Sequence, residues 1–92
     1  MAKAKLSQNV VGATIRKLRT QQNLTQELLS SRCGVLGFEI PRGTLAKIEA
    51  EIRGIADVEL FVIAQVLRVK IEDLFPTRFL SRLKSGDLLP PE

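Results

Sequence analysis

Residues 24–53 read LTQELLSSRCGVLGFEIPRGTLAKIEAEIR, two amphipathic segments joined by a connection marked with Gly and Pro. Thr25 is placed to cap a helix, its hydroxyl accepting an early backbone N–H. Behind it, Leu29, Cys33 and Leu36 recur at spacings of four and three, the stripe of a helix facing a core. That stripe carries the helix to Gly37, a residue type suited to the left-handed position past a helix end. Within it, Cys33 reads as a small core residue rather than a reactive thiol. Phe38-Glu39-Ile40 should be extended, because the residue before a proline is pushed out of the helical region. Pro41 then opens the next helix. At about 100° per residue, Leu45, Ile48 and Ile52 share its inner face, while Gly43, Lys47 and Glu51 point away.

The same periodicity extends in both directions. Upstream, Val11, Ile15 and Leu18 place a first helix over residues 10–22, with Arg16 and Lys17 mostly turned to solvent. Downstream, Asp57 is expected to cap a fourth helix, residues 58–68. Leu60, Ile63, Ala64 and Leu67 form its core stripe, Phe61 flanks it and Val62 lies opposite. Residues 71–75 suggest one short helical turn closed by Pro76. Phe79, Leu80 and Leu83 stand at helical spacing within residues 77–85, and the chain from Gly86 onward should be irregular. No segment alternates as a strand would. The expected fold is all-α, a compact bundle of about five helices. Its parts are a basic arm (residues 1–8), one domain (9–76) and a C-terminal extension (77–92).

Composition narrows the function. The 92 residues are too few for two cores. There is no His, no Trp and no Tyr, and Cys33 stands alone. That leaves no internal disulfide, no Cys/His zinc site and no histidine base, so no metal, no cofactor and no enzyme are expected. The longest apolar run, Leu60–Ala64, is five residues against the ~20 that span a bilayer. No apolar signal segment follows Lys3 and Lys5, so a reducing cytoplasm is the expected location and no membrane partner is expected. The net charge is +4, unevenly spread. Residues 1–22 hold five bases and no acid, and residues 23–76 hold six bases and eight acids. A basic segment on a slightly acidic body points to an anionic partner, nucleic acid first.

Two consecutive helices with the second short and exposed on one face can dock on DNA. The first crosses the phosphates and the second presents its N-terminal residues to base edges in the major groove. Four motifs sharpen the pattern: Val11-Gly12…Ile15…Leu18-Arg19, Leu24-Thr25-Gln26…Leu29, Thr44-Leu45-Ala46-Lys47-Ile48-Glu49, and Asp57…Leu60…Ile63-Ala64…Leu67…Val69…Asp73-Leu74-Phe75. Across residues 11–75 the chain resembles the lambda-repressor-like (XRE, phage repressor and Cro) helix-turn-helix family. Two features depart from its usual pattern. Residues 34–41 exceed the usual tight turn, as in a phage-like subset with a prolonged second helix. Pro41 stands where Ser or Thr is usual, so the recognition helix lacks a capping hydroxyl.

The resemblance implies roles residue by residue. Arg42, Thr44 and Lys47 fall at base-reading positions, where Arg and Lys donate to guanine O6 and N7. Gln26, Arg53, Arg16 and Lys17 fall at or near positions that meet the DNA backbone, with Lys3 and Lys5 as a possible arm. Arg19 and Glu49 match a partly buried ion pair that fixes the angle of the recognition helix. The implied function is sequence-specific binding of double-stranded DNA by a transcriptional regulator, a repressor in the first instance. The alternative is a protein-interaction module on the same fold, such as an antitoxin or antirepressor, whose C-terminal extension engages a partner. A nonspecific nucleoid-type binder fits less well with a charge of +4. Phe61, Val62 and the Phe79–Leu83 segment are apolar residues beyond what the domain needs. They serve either as a second core layer made by the extension or as a homodimer surface, at least on DNA.

Overall fold

The computed structural model describes residues 9–85, and side chains as far as Ser81. Lys3, Lys5, the Leu83 side chain and the segment from Gly86, expected to be irregular, lie outside the described residues. The elements are α1 (Gly12–Gln21), α2 (Gln26–Val35), α3 (Arg42–Glu49), α4 (Asp57–Leu67), a 3₁₀ turn (Ile71–Leu74) and α5 (Thr77–Ser85). The described residues are all-α. Among them no helix is long and apolar enough to cross a membrane.

One core joins the first four helices. Val11, Ile15, Leu24, Leu29, Cys33, Ile40, Leu45, Ile48, Ile63, Leu67 and Leu74 are all buried in it. Thr25 caps α2, its Oγ1 accepting the Leu28 N–H at 3.0 Å. Burial of Cys33 pushes its thiol up to about 11, so little thiolate is present at neutral pH.

The helix ends explain where the periodic reading fails. Gly37, at φ +94, reverses the chain after α2. The Gly37 N–H bonds the Gly34 carbonyl (2.9 Å) and the Phe38 N–H bonds the Cys33 carbonyl (3.2 Å), a complete Schellman closure. Gly37 thus takes the left-handed position expected of it, with Val35 the last helical residue and Leu36 the C-cap. Leu36, expected in the core stripe, is 55% exposed, and Ile40 folds back to occupy the core. The end of α3 repeats the geometry without glycine. Glu51 sits at φ 62, its N–H on Ile48 and the Ile52 N–H on Lys47. This left-handed residue breaks the 100° progression, so Ile52, expected inside, is 75% exposed. Pro41 is the N-cap of α3 rather than its first turn, with ψ 151 and no side-chain cap.

On α4 the cap is Ala56, not Asp57, and the Glu59 carboxylate reaches back to accept the Ala56 N–H at 2.9 Å. The buried arc of α4 includes Glu59 and Val62 as well as Ile63, Ala64 and Leu67. Val62, expected to face away, is buried because α1, α2 and the 3₁₀ turn all pack on this helix. Leu60 is only half-buried and Phe61 is exposed. Phe79 of α5 stacks on Phe75 with centroids 5.4 Å apart, and both Phe79 and Leu80 are half-buried.

Candidate nucleic-acid interface

The outer face of α3 carries Arg42, Gly43 and Lys47 exposed to solvent, while Leu45, Ile48 and Glu49 are buried. Thr44 is half-buried at the margin. These positions follow from an eight-residue helix with one apolar stripe: burying Leu45 and Ile48 turns Arg42 and Lys47 outward.

A charged and polar cluster holds this helix. Arg19 of α1 donates from Nε to Glu49 Oε2 at 2.6 Å and from Nη2 to Glu49 Oε1 at 2.9 Å. Its Nη1 donates to the Leu24 carbonyl at 2.7 Å. Gln26 Nε2 completes the cluster at 3.1 Å from Glu49 Oε1. Both partners of the ion pair are buried, so its geometry is set by packing rather than by solvent. Arg19, Thr25, Gln26, Glu27 and Arg42 line an open recess of about 450 Å³. The structure thus brings the start of α2 and the start of α3 to one concave surface.

The other expected backbone contacts are placed differently. Arg16 and Lys17 are exposed on α1. Lys17 lines a second groove with Thr14, Leu18, Gln21, Asp73, Phe75, Pro76 and Thr77, apart from the recess. Arg53 follows α3 and pairs with Glu59: Nη1 to Oε1 at 2.9 Å and Nη2 to Oε2 at 3.0 Å. Hydrogen bonds from Arg53, then from the Ala56 N–H, hold the Glu59 carboxyl below the usual glutamate range against the opposing effect of burial. The same bond raises Arg53 above its ordinary value.

Four residues that position the site carry no signal in the periodic pattern. Asn9 Oδ1 accepts the N–H groups of Val11 and Gly12, at 3.0 and 2.9 Å. Its Nδ2 donates to the Ile48 and Arg53 carbonyls, at 2.8 and 3.0 Å. Glu51 Oε2 accepts the Ala13 N–H at 3.0 Å. Gly12 lets α1 lie directly on the end of α3, where a Cβ would overlap the Ile48 carbonyl oxygen. Glu59 is the fourth. The signal that could have found Asn9 is its type and place: Asn accepts early backbone N–H groups, and it stands just ahead of the Val11–Ile15–Leu18 stripe.

A family model described as helix-turn-helix matches residues 15–74. No curated protein matches the chain in sequence. Among solved structures, the restriction-modification controller protein C.AhdI from Aeromonas hydrophila is 26% identical with TM-score 0.65, over 74% of this chain and 96% of that one. The clp gene regulator ClgR from C. glutamicum is 17% identical with TM-score 0.66, over 95% and 100%. A hypothetical transcription factor, NHTF from Neisseria, is 22% identical with TM-score 0.65, over 92% and 97%. The last two bear on the fold alone.

Proposed function

The chain belongs to the helix-turn-helix family of DNA-binding transcription regulators, and from that premise we propose how it reads DNA. It acts as a cytoplasmic repressor without an enzymatic step. Arg42 and Lys47 reach base edges, and Thr44 touches a phosphate or a thymine methyl at the margin. Gln26 and Arg53 engage the backbone, with Arg16 and Lys17 adding longer-range attraction. The observation that carries this reading is the exposed pair Arg42 and Lys47 on a helix fastened from behind by Arg19, Glu49 and Gln26. A fastened helix loses little freedom on docking, so its contacts convert to affinity and discrimination.

The protein works as a homodimer on DNA. One recognition helix with two long readers supplies about 1–3 kcal/mol per good contact, against the roughly 4–10 kcal/mol that specific sites need. The surface for pairing is Ile52, Val58 and Phe61, which remain 75%, 48% and 53% exposed. The Arg53–Glu59 bond draws the neighbours Ile52 and Val58 to the same end of the molecule. The extension is not the favoured surface, because Phe79 is stacked on Phe75. The same stacking weighs against a role built on docking a partner through that extension.

Selection of sites from random duplex DNA, followed by alanine variants and a salt titration, tests the assignment. Arg42→Ala and Lys47→Ala are each expected to cost about 1–3 kcal/mol and to relax preference at one base pair. Unchanged affinity and preference in both variants would refute it. Sedimentation of the complex is expected to give two chains per duplex. One chain at saturation, on a site without repeated halves, would remove the dimer.

A further inference from the structure

The Arg53–Glu59 pair leaves a defined part of the guanidinium unused. A guanidinium carries five N–H donors in a rigid plane. Nη1 directs its two to Glu59 Oε1 and the Gly54 carbonyl, both at 2.9 Å, and Nη2 directs one to Glu59 Oε2 at 3.0 Å. The two remaining donors are Nε–H and the second Nη2–H. They lie side by side on one edge, the fork that matches two oxygens of a phosphate. The exposures are divided accordingly: the Arg53 side chain keeps 39% and Glu59 only 9%. The acid therefore sits behind the arginine rather than in front of it.

Both ends of this arrangement are anchored. Glu59 Oε1 also accepts the Ala56 N–H, which ties the carboxylate to the first turn of α4. The Arg53 carbonyl accepts from Asn9 Nδ2, which ties the backbone to the start of α1. We propose that Glu59 is a positioning residue for DNA binding, holding the Arg53 guanidinium with its Nε–Nη2 edge free to engage a backbone phosphate. This rests on the reading of Arg53 as a backbone contact. An untethered arginine gives up rotamer freedom when it binds, and Glu59 has already removed that freedom in the free protein.

Charge alone makes the opposite forecast. Deleting an acid beside a cationic contact should tighten binding to DNA, whereas loss of a positioning residue should weaken it. The test uses the full chain, a labelled duplex selected from random DNA by the unaltered protein, and fluorescence anisotropy across a salt series. Glu59→Gln keeps an acceptor for the Ala56 N–H, since Gln serves at this helical position as Glu does. Adding Ala56→Ser supplies a capping hydroxyl if α4 needs support, and circular dichroism fixes a temperature below unfolding for every variant. Arg53→Ala is expected to weaken binding about fivefold and to shallow the salt slope by about one. Glu59→Gln is expected to move both quantities the same way, and the double variant to match Arg53→Ala. Binding by Glu59→Gln as tight as the unaltered protein or tighter, with Arg53→Ala still weakened, overturns the proposal and leaves the role of Arg53 standing. No change in Arg53→Ala overturns both.

Discussion

Replacing Arg19 by Met keeps an unbranched apolar stem but removes the guanidinium and all its donors. Glu49, 4% exposed, would retain one donor, Gln26 Nε2 at 3.1 Å, where it now has three. The Leu24 carbonyl would lose the guanidinium it accepts from at 2.7 Å. Stranding one member of a buried pair costs about 3–5 kcal/mol, a large part of the roughly 5–15 kcal/mol that stabilises a domain. In a domain of this size that lowers the midpoint of thermal unfolding by roughly 15 °C or more. Arg19→Met with Glu49→Leu removes both charges and fills the space with apolar groups, which is often near neutral. The double variant should therefore recover at least ~2 kcal/mol of the summed single losses. Urea unfolding of the four proteins, followed by far-ultraviolet circular dichroism, measures the coupling. Single losses below ~1 kcal/mol with coupling near zero would show two idle charges and refute the reasoning. The double variant also separates stability from orientation. If the pair sets the angle of α3, stability returns and base preference does not.

Gly12→Ala places a methyl against the Ile48 carbonyl and, at 2.6 Å, the Glu51 Cγ. Since that wall is partly backbone, overpacking should cost about 1–3 kcal/mol, seen as a lower urea midpoint at an unchanged slope. Glu59 is held below its ordinary range, so its contribution to stability is full above the unfolded-chain value of about 4.3 and is lost as pH falls through the lower folded value. Acid unfolding of Glu59→Gln should therefore be flatter below about pH 4.3 than that of the unaltered chain, and identical limbs would count against the pair.

What the sequence disclosed was what lies in the middle of helices. Leu29 with Cys33, and Leu45 with Ile48, are buried as their spacing requires, because an uninterrupted helix turns every residue by the same angle. Leu36 and Ile52 both fail at helix ends. Ile52 lies beyond the left-handed Glu51, and nothing in Ala50-Glu51-Ile52 announces that reversal, since Glu rarely takes φ 62. Leu36 is the C-cap residue just before the left-handed Gly37, where the helix and its packed face have already ended. Val62 fails for a different reason: three elements on α4 widen its buried arc beyond a single stripe. Arg19 and Glu49 are 30 residues apart, so periodicity cannot pair them and only the family pattern could. Glu59 was hidden because Ala56 lacks the hydroxyl that makes a capping box visible.

With residues 36–41 between α2 and α3, the angle of α3 needs a source. In a tight helix-turn-helix the turn itself can supply it, but residues 36–41 here are a reversal followed by chain without regular secondary structure, and Pro41 adds no side-chain cap. The fastening lies instead at the far end of α3. Near its own C-terminus, α1 grips Glu49 through Arg19. At its N-terminus, α1 lies on the Ile48 carbonyl through Gly12 and Asn9, and receives Glu51 on the Ala13 N–H. The two fastenings lie at opposite ends of α1, so α3 cannot pivot without breaking one of them. Its N-terminal end, with Arg42, projects beyond them. An angle fixed in this way does not depend on the length of the connection, which leaves residues 36–41 free to lengthen while Ile40 stays in the core and Ser30 Oγ holds the Ile40 carbonyl at 2.6 Å.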